Sequence, residues 1–303
     1  VDIMENNEGH NYNRKQREAA VQWMLRWLAG RDEVVREPQI ELLSPDEYTV
    51  TPGGSVLRLS GAVSINDLFM EEMERAGERR RKFLLQSNDS ILGVRIRELT
   101  GMEMLPEGEL RVISRNESQL YGYSRTEYTF ASGDGYNFPA TCYRPDNNRE
   151  KTTVLFLSEG GTSFHLGEIL RMVEGGQSVI SLELPGTGSL RQDGKKNLRL
   201  SSGLGWEDCN KAYLMGRSVV GYRIRDILDV SGFLAGQRKG SGSVMIHAVG
   251  ETGIPAIHAA FLEPQLIESV TVSGTVSSWE EVVRSKTSHN QLVNVVHGVL
   301  NWY

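Results

Sequence analysis

The chain contains 303 residues, of which 39% are hydrophobic and 24% are charged, and its formal net charge is −6. This composition is typical of a globular protein with a hydrophobic core, and the length is sufficient for two domains. The mild negative charge and the lack of a long basic run argue against a nucleic-acid partner. No apolar run approaches the roughly 18 residues of a transmembrane helix, so we expect no membrane span.

The two cysteines, Cys142 and Cys209, are too few and too far apart in the sequence to predict a disulfide framework or a zinc site. We therefore expect neither a metal nor a cofactor. The chain begins at Val1, without a methionine and without the basic and apolar regions of a signal peptide. Either a leader has been removed or the chain is a piece of a longer protein, and we favour the second interpretation.

The first predicted element is a helix that follows Asn13 and ends at Gly30. Asn13 and Gln16 have the spacing of a reciprocal capping box, and glycine is a common helix terminator. Apolar residues recur along the helix at helical spacing: Ala20, Trp23, Met24, Trp27 and Leu28. Such a face must be buried against a sheet or a bundle, because a helix this apolar is not stable alone in water.

Residues 31–51 are charged and punctuated by proline, which predicts an extended linker. Ser64 is suited to cap a second long helix, whose apolar stripe contains Ile65, Leu68, Phe69, Met73 and Ala76. A shorter helix is predicted from Ile91 to Leu99 and ends at Gly101.

After residue 108 the pattern changes to short apolar strands that alternate with helices. The predicted strands are Tyr123–Phe130, Asn137–Tyr143, Thr153–Ser158, Ser178–Glu183, Ser243–Ala248 and Ser269–Ser273, and the predicted helices are His165–Glu174, Lys211–Ala235 and Ile254–Leu262. This alternation indicates an α/β fold with a mostly parallel sheet covered by helices on both faces.

The segment after the strand that begins near Val244 has the shape of a nucleophile elbow, the tight strand-to-helix turn of α/β hydrolases. The G-x-S-x-G register falls on Val249-Gly250-Glu251-Thr252-Gly253, so Glu251 stands where the serine is expected. The backbone N–H of Thr252 would then form half of an oxyanion hole. The alternative is an ordinary strand-to-helix turn of a doubly wound sheet, and we favour the elbow.

Two earlier loops lie where a hydrolase needs them. The strand ending near Ser158 runs into Gly160 and Gly161, the usual source of the second oxyanion donor, and the next strand runs into the Pro185–Ser189 turn. Plain turn chemistry explains either loop alone, but their order ahead of the elbow strengthens the prediction.

Several further runs are similar to a known family. The segments Tyr213–Asp226, Val270–Gly274 with Ser278-Trp279, and Asn294–Tyr303 resemble α/β hydrolases of the acetyl xylan esterase (cephalosporin-C deacetylase) type. In this group many members resemble tandem proteins with two hydrolase domains. The run Gly9-His10-Asn11-Tyr12-Asn13 and the helix after it resemble the end of a first domain, where the catalytic histidine loop leads into the last helix.

The resemblance implies three regions. Residues 1–30 would end an upstream hydrolase domain, residues 31–109 would be a linker with helices, and residues 110–303 would form a second, truncated hydrolase domain. It implies that His10 is the general base of the upstream domain, whereas the alternative is a surface histidine in a polar loop. A secreted or periplasmic protein is favoured if the resemblance holds.

The predicted second domain cannot build its own Ser-His-Asp triad, because Glu251 replaces the serine and about thirty residues follow Ser273 without room for two more strands. We find no carboxylate partner for His247 or His258, and we assign no role to His289 and His297. The sheet is therefore expected to be incomplete at its C-terminal edge.

Three hypotheses about function remain. The favoured one is a carboxylic ester hydrolase that deacetylates carbohydrate esters, in which the second domain is catalytically degenerate. The substrate would be a small-molecule or polysaccharide ester. The alternatives are a non-catalytic binding or scaffold module with a hydrolase fold, and a hydrolase that uses Glu251 as its nucleophile.

Overall fold

The computed structural model describes residues 2–102, 108–133, 135–146, 153–192, 203–236, 244–285 and 291–303. The chain divides into two compact units, Val1–Ser64 and Ile65–Tyr303. Two helices that the sequence placed in a linker therefore belong to the same unit as the sheet. In the described part of the chain, no helix is both long enough and apolar enough to cross a membrane.

The first unit contains helix α1 (Arg14–Ala29) and the short helix α2 (Pro45–Tyr48), followed by 3-10 turns at Pro52–Gly54 and Val56–Arg58. The predicted capping box is confirmed, because the Asn13 side chain accepts from the Gln16 N–H and the Gln16 side chain accepts from the Asn13 N–H. Gly30 ends α1 in the left-handed conformation.

The prediction that the apolar face of α1 is buried is wrong for the described structure. No residue of α1 is buried, and Trp27 is 63% exposed. Within the first unit the chain after α1 is extended and contains no sheet that covers this face. This extended segment is attached to the start of α1 instead, where the Arg17 guanidinium pairs with Glu37.

The second unit contains the other helices and all strands of the described residues. The helices are α3 (Ile65–Gln86), α4 (Asp89–Thr100), α5 (Gly161–Phe164), α6 (Leu166–Glu174), α7 (Trp206–Leu214), α8 (Val219–Gly236), α9 (Gly253–Leu262) and α10 (Trp279–Arg284). The strands are β1 (Arg111–Leu120), β2 (Tyr123–Ala131), β3 (Asn137–Pro145), β4 (Thr153–Ser158), β5 (Ser178–Leu182), β6 (Val244–Val249) and β7 (Ile267–Ser273).

These strands form one seven-stranded sheet in the order β1-β2-β3-β5-β4-β6-β7. Strands β1, β2, β3 and β5 pair antiparallel, whereas β5, β4, β6 and β7 pair parallel. The chain leaves β4 toward β5 on one side and later enters β6 on the other side. The direction of winding therefore reverses between β4 and β6, a topological switch point of a doubly wound sheet.

Helices cover both faces of the parallel part of the sheet. In β4, Leu155 and Leu157 pack in the larger core with α8 and α9, while Val154 and Phe156 pack against α6 on the other face. This alternation follows the two-residue period of a strand. Because both faces are covered, all six residues of β4 are buried, which explains why the sequence shows β4 as an almost continuous apolar run.

Two predicted elements need correction. The helix predicted over Lys211–Ala235 is two helices, α7 and α8, because the chain turns between them at Gly216, whose φ of +70° stops the first helix. Strand β1 was not predicted. Every residue of β1 is exposed, so its sequence lacks the apolar alternation that marks a half-buried strand.

Candidate functional site

The carboxyl ends of β4 and β6 meet at the switch point, where open α/β sheets form a crevice that binds ligands. Strand β4 ends at Ser158 and leads into Glu159, Gly160 and Gly161. Strand β6 ends at Val249 and leads into a 3-10 turn, Gly250–Thr252, before α9 begins. The loops that the sequence singled out as elbow and oxyanion loop therefore lie side by side.

Gly250 is the conformationally special residue of the elbow turn. Its φ is +69°, in the left-handed region that favours glycine. A Cβ atom built on Gly250 would lie 2.7 Å from Oε2 of Glu159. The turn thus has a glycine at its strained position, and a carboxylate from the neighbouring loop lies above it.

Glu251, which the G-x-S-x-G register placed at the nucleophile position, comes one residue after this left-handed glycine. Its side chain is 4% exposed, and its Oε1 accepts from Nη2 of Arg223 at 2.8 Å. Arg223 lies on α8, is fully buried, and also donates from Nε and Nη2 to the carbonyl oxygen of Pro185. Its guanidinium therefore ties the elbow turn to the loop after β5.

Burial and the charge of Arg223 shift the pKa of Glu251 in opposite directions. Burial raises the pKa of Glu251, and the positive charge of Arg223 acts in the opposite direction. The nearby carboxylate of Glu159 raises the Glu251 pKa further. A buried carboxyl held in this way is costly to separate from its partner.

Three polar side chains lock the turn from other directions. The Thr252 hydroxyl donates to the carbonyl oxygen of Val249 at 2.9 Å, the Thr275 hydroxyl donates to that of Gly250 at 2.7 Å, and the Asn294 amide donates to that of Glu251 at 3.1 Å. The Thr252 hydroxyl is thereby directed back to the strand. The predicted oxyanion role of the Thr252 N–H stays a prediction.

The loop after β4 is equally constrained. The Gly160 N–H donates to Oγ of Ser158 at 3.2 Å, and Gly161 has a φ of +71° and packs so closely on Gly188 that a Cβ would collide with it. The predicted oxyanion roles of Gly160 and Gly161 remain predictions. Beside them Glu183 accepts from the Ser189 N–H and hydroxyl, which fixes the turn after β5.

The histidines have their own partners. His247 on β6 faces Glu168 of α6 at 3.2 Å, and the same carboxylate lies 3.2 Å from Nδ1 of His165. His258 of α9 is 3.1 Å from the hydroxyl of Tyr303. No carboxylate partner of His247 was predicted from the sequence, because Glu168 is far from it in the chain.

The remaining three histidines are His10, His289 and His297. His10 lies in the first unit, where it is exposed in a bend of the chain, and its role as a general base stays a prediction. His289 lies outside the described residues, and His297 is 3.1 Å from the hydroxyl of Tyr213. Among the described residues no histidine is hydrogen-bonded to Glu251, and no group of three or more His, Cys, Asp or Glu side chains is arranged to hold a metal ion.

Sequence reasoning missed Glu159 and Arg223. A signal for Arg223 was present, since it falls at helical spacing among Val220, Ile224 and Ile227, which are buried. A charged residue on such a stripe needs a buried partner. Glu159 carries no comparable signal, because its contact with Gly250 depends on the pairing of β4 with β6.

No protein-family model matches this sequence, and no curated protein matches it. Among solved structures, a candidate acetyl xylan esterase from Bacteroides fragilis NCTC 9343 superposes with a TM-score of 0.61 at 15% identity, covering 86% of this chain and 75% of that one. Acetyl Xylan Esterase 1 from Thermoanaerobacterium sp. JW/SL YS485 reaches a TM-score of 0.42 at 13% identity, covering 66% of this chain and 56% of that one. An acetyl xylan esterase from Paenibacillus sp. R4 reaches 0.40 at 14% identity, covering 68% and 58%.

The mixed seven-stranded sheet, whose parallel part is covered by helices on both faces, together with the superposition on the Bacteroides protein, defines the fold as that of an α/β hydrolase. Sequence identities below 20% support the assignment of a fold and do not support the assignment of an activity.

Proposed function

We propose that this chain belongs to a carboxylic ester hydrolase that deacetylates carbohydrate esters, and that its unit Ile65–Tyr303 supports catalysis without performing it. The substrate class rests on the candidate acetyl xylan esterase from Bacteroides fragilis, whose fold the chain shares, and on the resemblance of its sequence segments. The serine nucleophile would come from a hydrolase domain upstream, with His10 as its general base.

One observation carries the proposal. The elbow turn has no hydroxyl where a nucleophile is needed: Gly250 has the strained conformation, and the Glu159 carboxylate occupies the space above it. Glu251 is bonded to Arg223 and is 4% exposed. A serine mechanism requires a hydroxyl that is exposed at the turn and accompanied by a histidine.

The alternative in which Glu251 is the nucleophile finds less support. An attacking carboxylate must reach a substrate carbon, and the bond to Arg223 and the burial of Glu251 both oppose this. The alternative of a binding or scaffold module differs from our proposal only in whether the whole protein hydrolyses esters.

The first test is made on the 303-residue chain. We expect no hydrolysis of p-nitrophenyl acetate or acetylated xylo-oligosaccharides above the buffer rate, and no labelling by a fluorophosphonate probe. The informative variant is Glu251→Gln, and the matched control is Glu263→Gln at a half-buried ion pair. Turnover by the chain that disappears in Glu251→Gln and persists in Glu263→Gln would overturn the silent role.

The second test is made on the longer protein that includes the upstream sequence. We expect His10→Ala to lower kcat/KM for acetyl esters by at least about a thousandfold, as loss of a triad histidine does. Asn11→Ala, at the next exposed position, is the control and should change kcat/KM less than about threefold. Full activity of the His10→Ala protein would remove His10 from the mechanism.

A further inference from the structure

A cavity of about 550 Å³ lies in the second unit. It is lined by the C-terminal end of α4, by α7, by the first residues of α8 and by Leu292, Val295 and His297. We call it the α7–α8 cavity. Its volume falls in the range of small-molecule sites in proteins, roughly 300–1,000 Å³.

The inner end of the α7–α8 cavity is apolar. Cys209 and Val219 line it, are nearly fully buried, and belong to one small hydrophobic cluster with Leu292 packed against it. Leu99 of α4 adds a further apolar wall. A ligand that fills this end must present an apolar body, because polar groups buried there would lose their hydrogen bonds to water.

The outer end of the cavity carries a hydrogen-bonded pair. The Tyr213 hydroxyl lies 3.1 Å from Nδ1 of His297, and the two rings meet edge to face at 5.4 Å. If Tyr213 donates to Nδ1, the Nε2–H of neutral His297 remains a donor. If Nδ1–H donates to the tyrosine oxygen, the tyrosine O–H remains a donor. In both tautomers the pair therefore offers a donor to an acceptor on the ligand.

The charges around the cavity favour an anionic acceptor. Arg217 brings a positive charge to the wall, and its Nη1 donates to the Tyr222 hydroxyl at 2.9 Å. The one carboxylate of the lining, Glu98, is paired with Arg95 at 2.6 Å. The apolar end and the donor-rich mouth thus require a ligand with two different ends.

We propose that the α7–α8 cavity binds a small monocarboxylate with an apolar body, its carboxylate at the Tyr213–His297 pair and its body against Cys209 and Val219. Phenylacetate has this chemistry, and its neutral isostere 2-phenylethanol has the same body without the charge. No residue of the elbow turn lines the cavity, so the proposed binding is tested separately from the proposed ester hydrolysis.

The first experiment titrates the 303-residue chain with phenylacetate and with 2-phenylethanol by isothermal calorimetry. We expect saturable binding of phenylacetate with one site per chain and at least tenfold weaker binding of 2-phenylethanol. The double variant Tyr213→Phe/His297→Phe, which removes both possible donors of the pair, should weaken phenylacetate about tenfold, the usual size of a lost hydrogen bond to a charged group. Tyr121→Phe, at a fully exposed tyrosine, is the matched control and should bind like the parent chain. Equal affinity for acid and alcohol, or no change in the double variant, overturns the proposal.

The second experiment uses the two cysteines, which are both buried and both reduced. Cys209 lines the cavity, whereas Cys142 lies in the sheet core on β3 and serves as the internal control. Burial raises the pKa of the Cys209 thiol, so its reaction with N-ethylmaleimide is followed at pH 8.5 by mass spectrometry. We expect Cys209 to react before Cys142 and saturating phenylacetate to slow it at least fivefold. Equal reactivity of the two thiols, or no protection, contradicts the proposal.

Discussion

Replacing Arg223 by methionine isolates the buried ion pair that holds the elbow turn. The substitution removes the 2.8 Å bond to Glu251 and both bonds to the carbonyl oxygen of Pro185. Both side chains are almost completely buried, at 0% and 4% exposure, so solvent cannot replace the lost partner. Breaking a buried pair on one side costs about 3–5 kcal/mol of unfolding free energy, and we expect a loss in this range at pH 7.5.

The loss should depend on pH. Without Arg223, the Glu251 carboxylate is buried without a partner and becomes neutral by binding a proton. At pH 7.5 this protonation costs about 4 kcal/mol for a carboxyl whose pKa is ordinary in the unfolded chain. At pH 5.5 the same step costs under about 2 kcal/mol. The destabilisation caused by Arg223→Met should therefore shrink between pH 7.5 and pH 5.5, by at most about 2–3 kcal/mol, because the raised pKa of Glu251 lets the parent chain gain protons in this range as well.

Urea unfolding followed by circular dichroism at both pH values measures this effect. The matched control is Arg97→Met, which breaks a helix-surface pair with Glu263 of similar length, 2.7 Å, but with side chains that are 35% and 38% exposed. It should cost less than about 1 kcal/mol at either pH. A loss below about 1 kcal/mol for Arg223→Met, or a loss that is equal at both pH values, would refute the reasoning.

Three further predictions concern the second unit. Gly250→Ala should lower unfolding free energy by about 1–3 kcal/mol, because φ is +69° and the new Cβ meets Glu159; adding Glu159→Ala should recover only part of this loss, and full recovery would contradict backbone strain. Burial lowers the pKa of His258, so the stability that it contributes is complete above its unfolded-state pKa and is lost as the pH falls. His258→Leu should therefore flatten the decline of urea stability between pH 7.5 and 5.5, and an unchanged slope would disprove this. Glu168→Ala should lower unfolding free energy by about 0.5–1 kcal/mol, measured against exposed Glu174→Ala on the same helix, since it removes the carboxylate beside His247; equal losses in both variants would count against the contact.

The parallel strands were well predicted because local sequence dictates them. The runs Thr153–Ser158 and Ser178–Leu182 are buried on both faces, so each must be apolar along its length and is bounded by polar or glycine-rich turns. Strand β1 was not predicted for the opposite reason, because a fully exposed strand needs no apolar face. The break at Gly216 also escaped prediction, because one glycine within a helical pattern is tolerated as often as it terminates.

The sequence predicted the turns of the candidate site and did not predict its side-chain contacts. The order of strand, glycine-rich loop and helix predicted the turns that contain Gly160 and Glu251, and the structure has a turn at each of them. The pairing of Glu251 with Arg223 joins residues 28 positions apart, and no periodicity in the sequence links them. The same holds for the contact of Glu168 with His247, whereas its contact with His165, three residues earlier, follows helical spacing.

The sequence by itself determined that the chain builds a doubly wound α/β sheet and that a glutamate, not a serine, follows the glycine of the elbow turn. Both depend on the identity and spacing of near neighbours, which local backbone preferences and burial patterns convert directly into strands, helices and turns. Only the tertiary structure decided that Gly250 takes the left-handed conformation, that Glu159 lies above it and that Glu251 is bonded to Arg223. Those contacts exist because parallel strands bring distant carboxyl ends to one edge of the sheet. The spacing of residues in the sequence does not show which of these ends become neighbours.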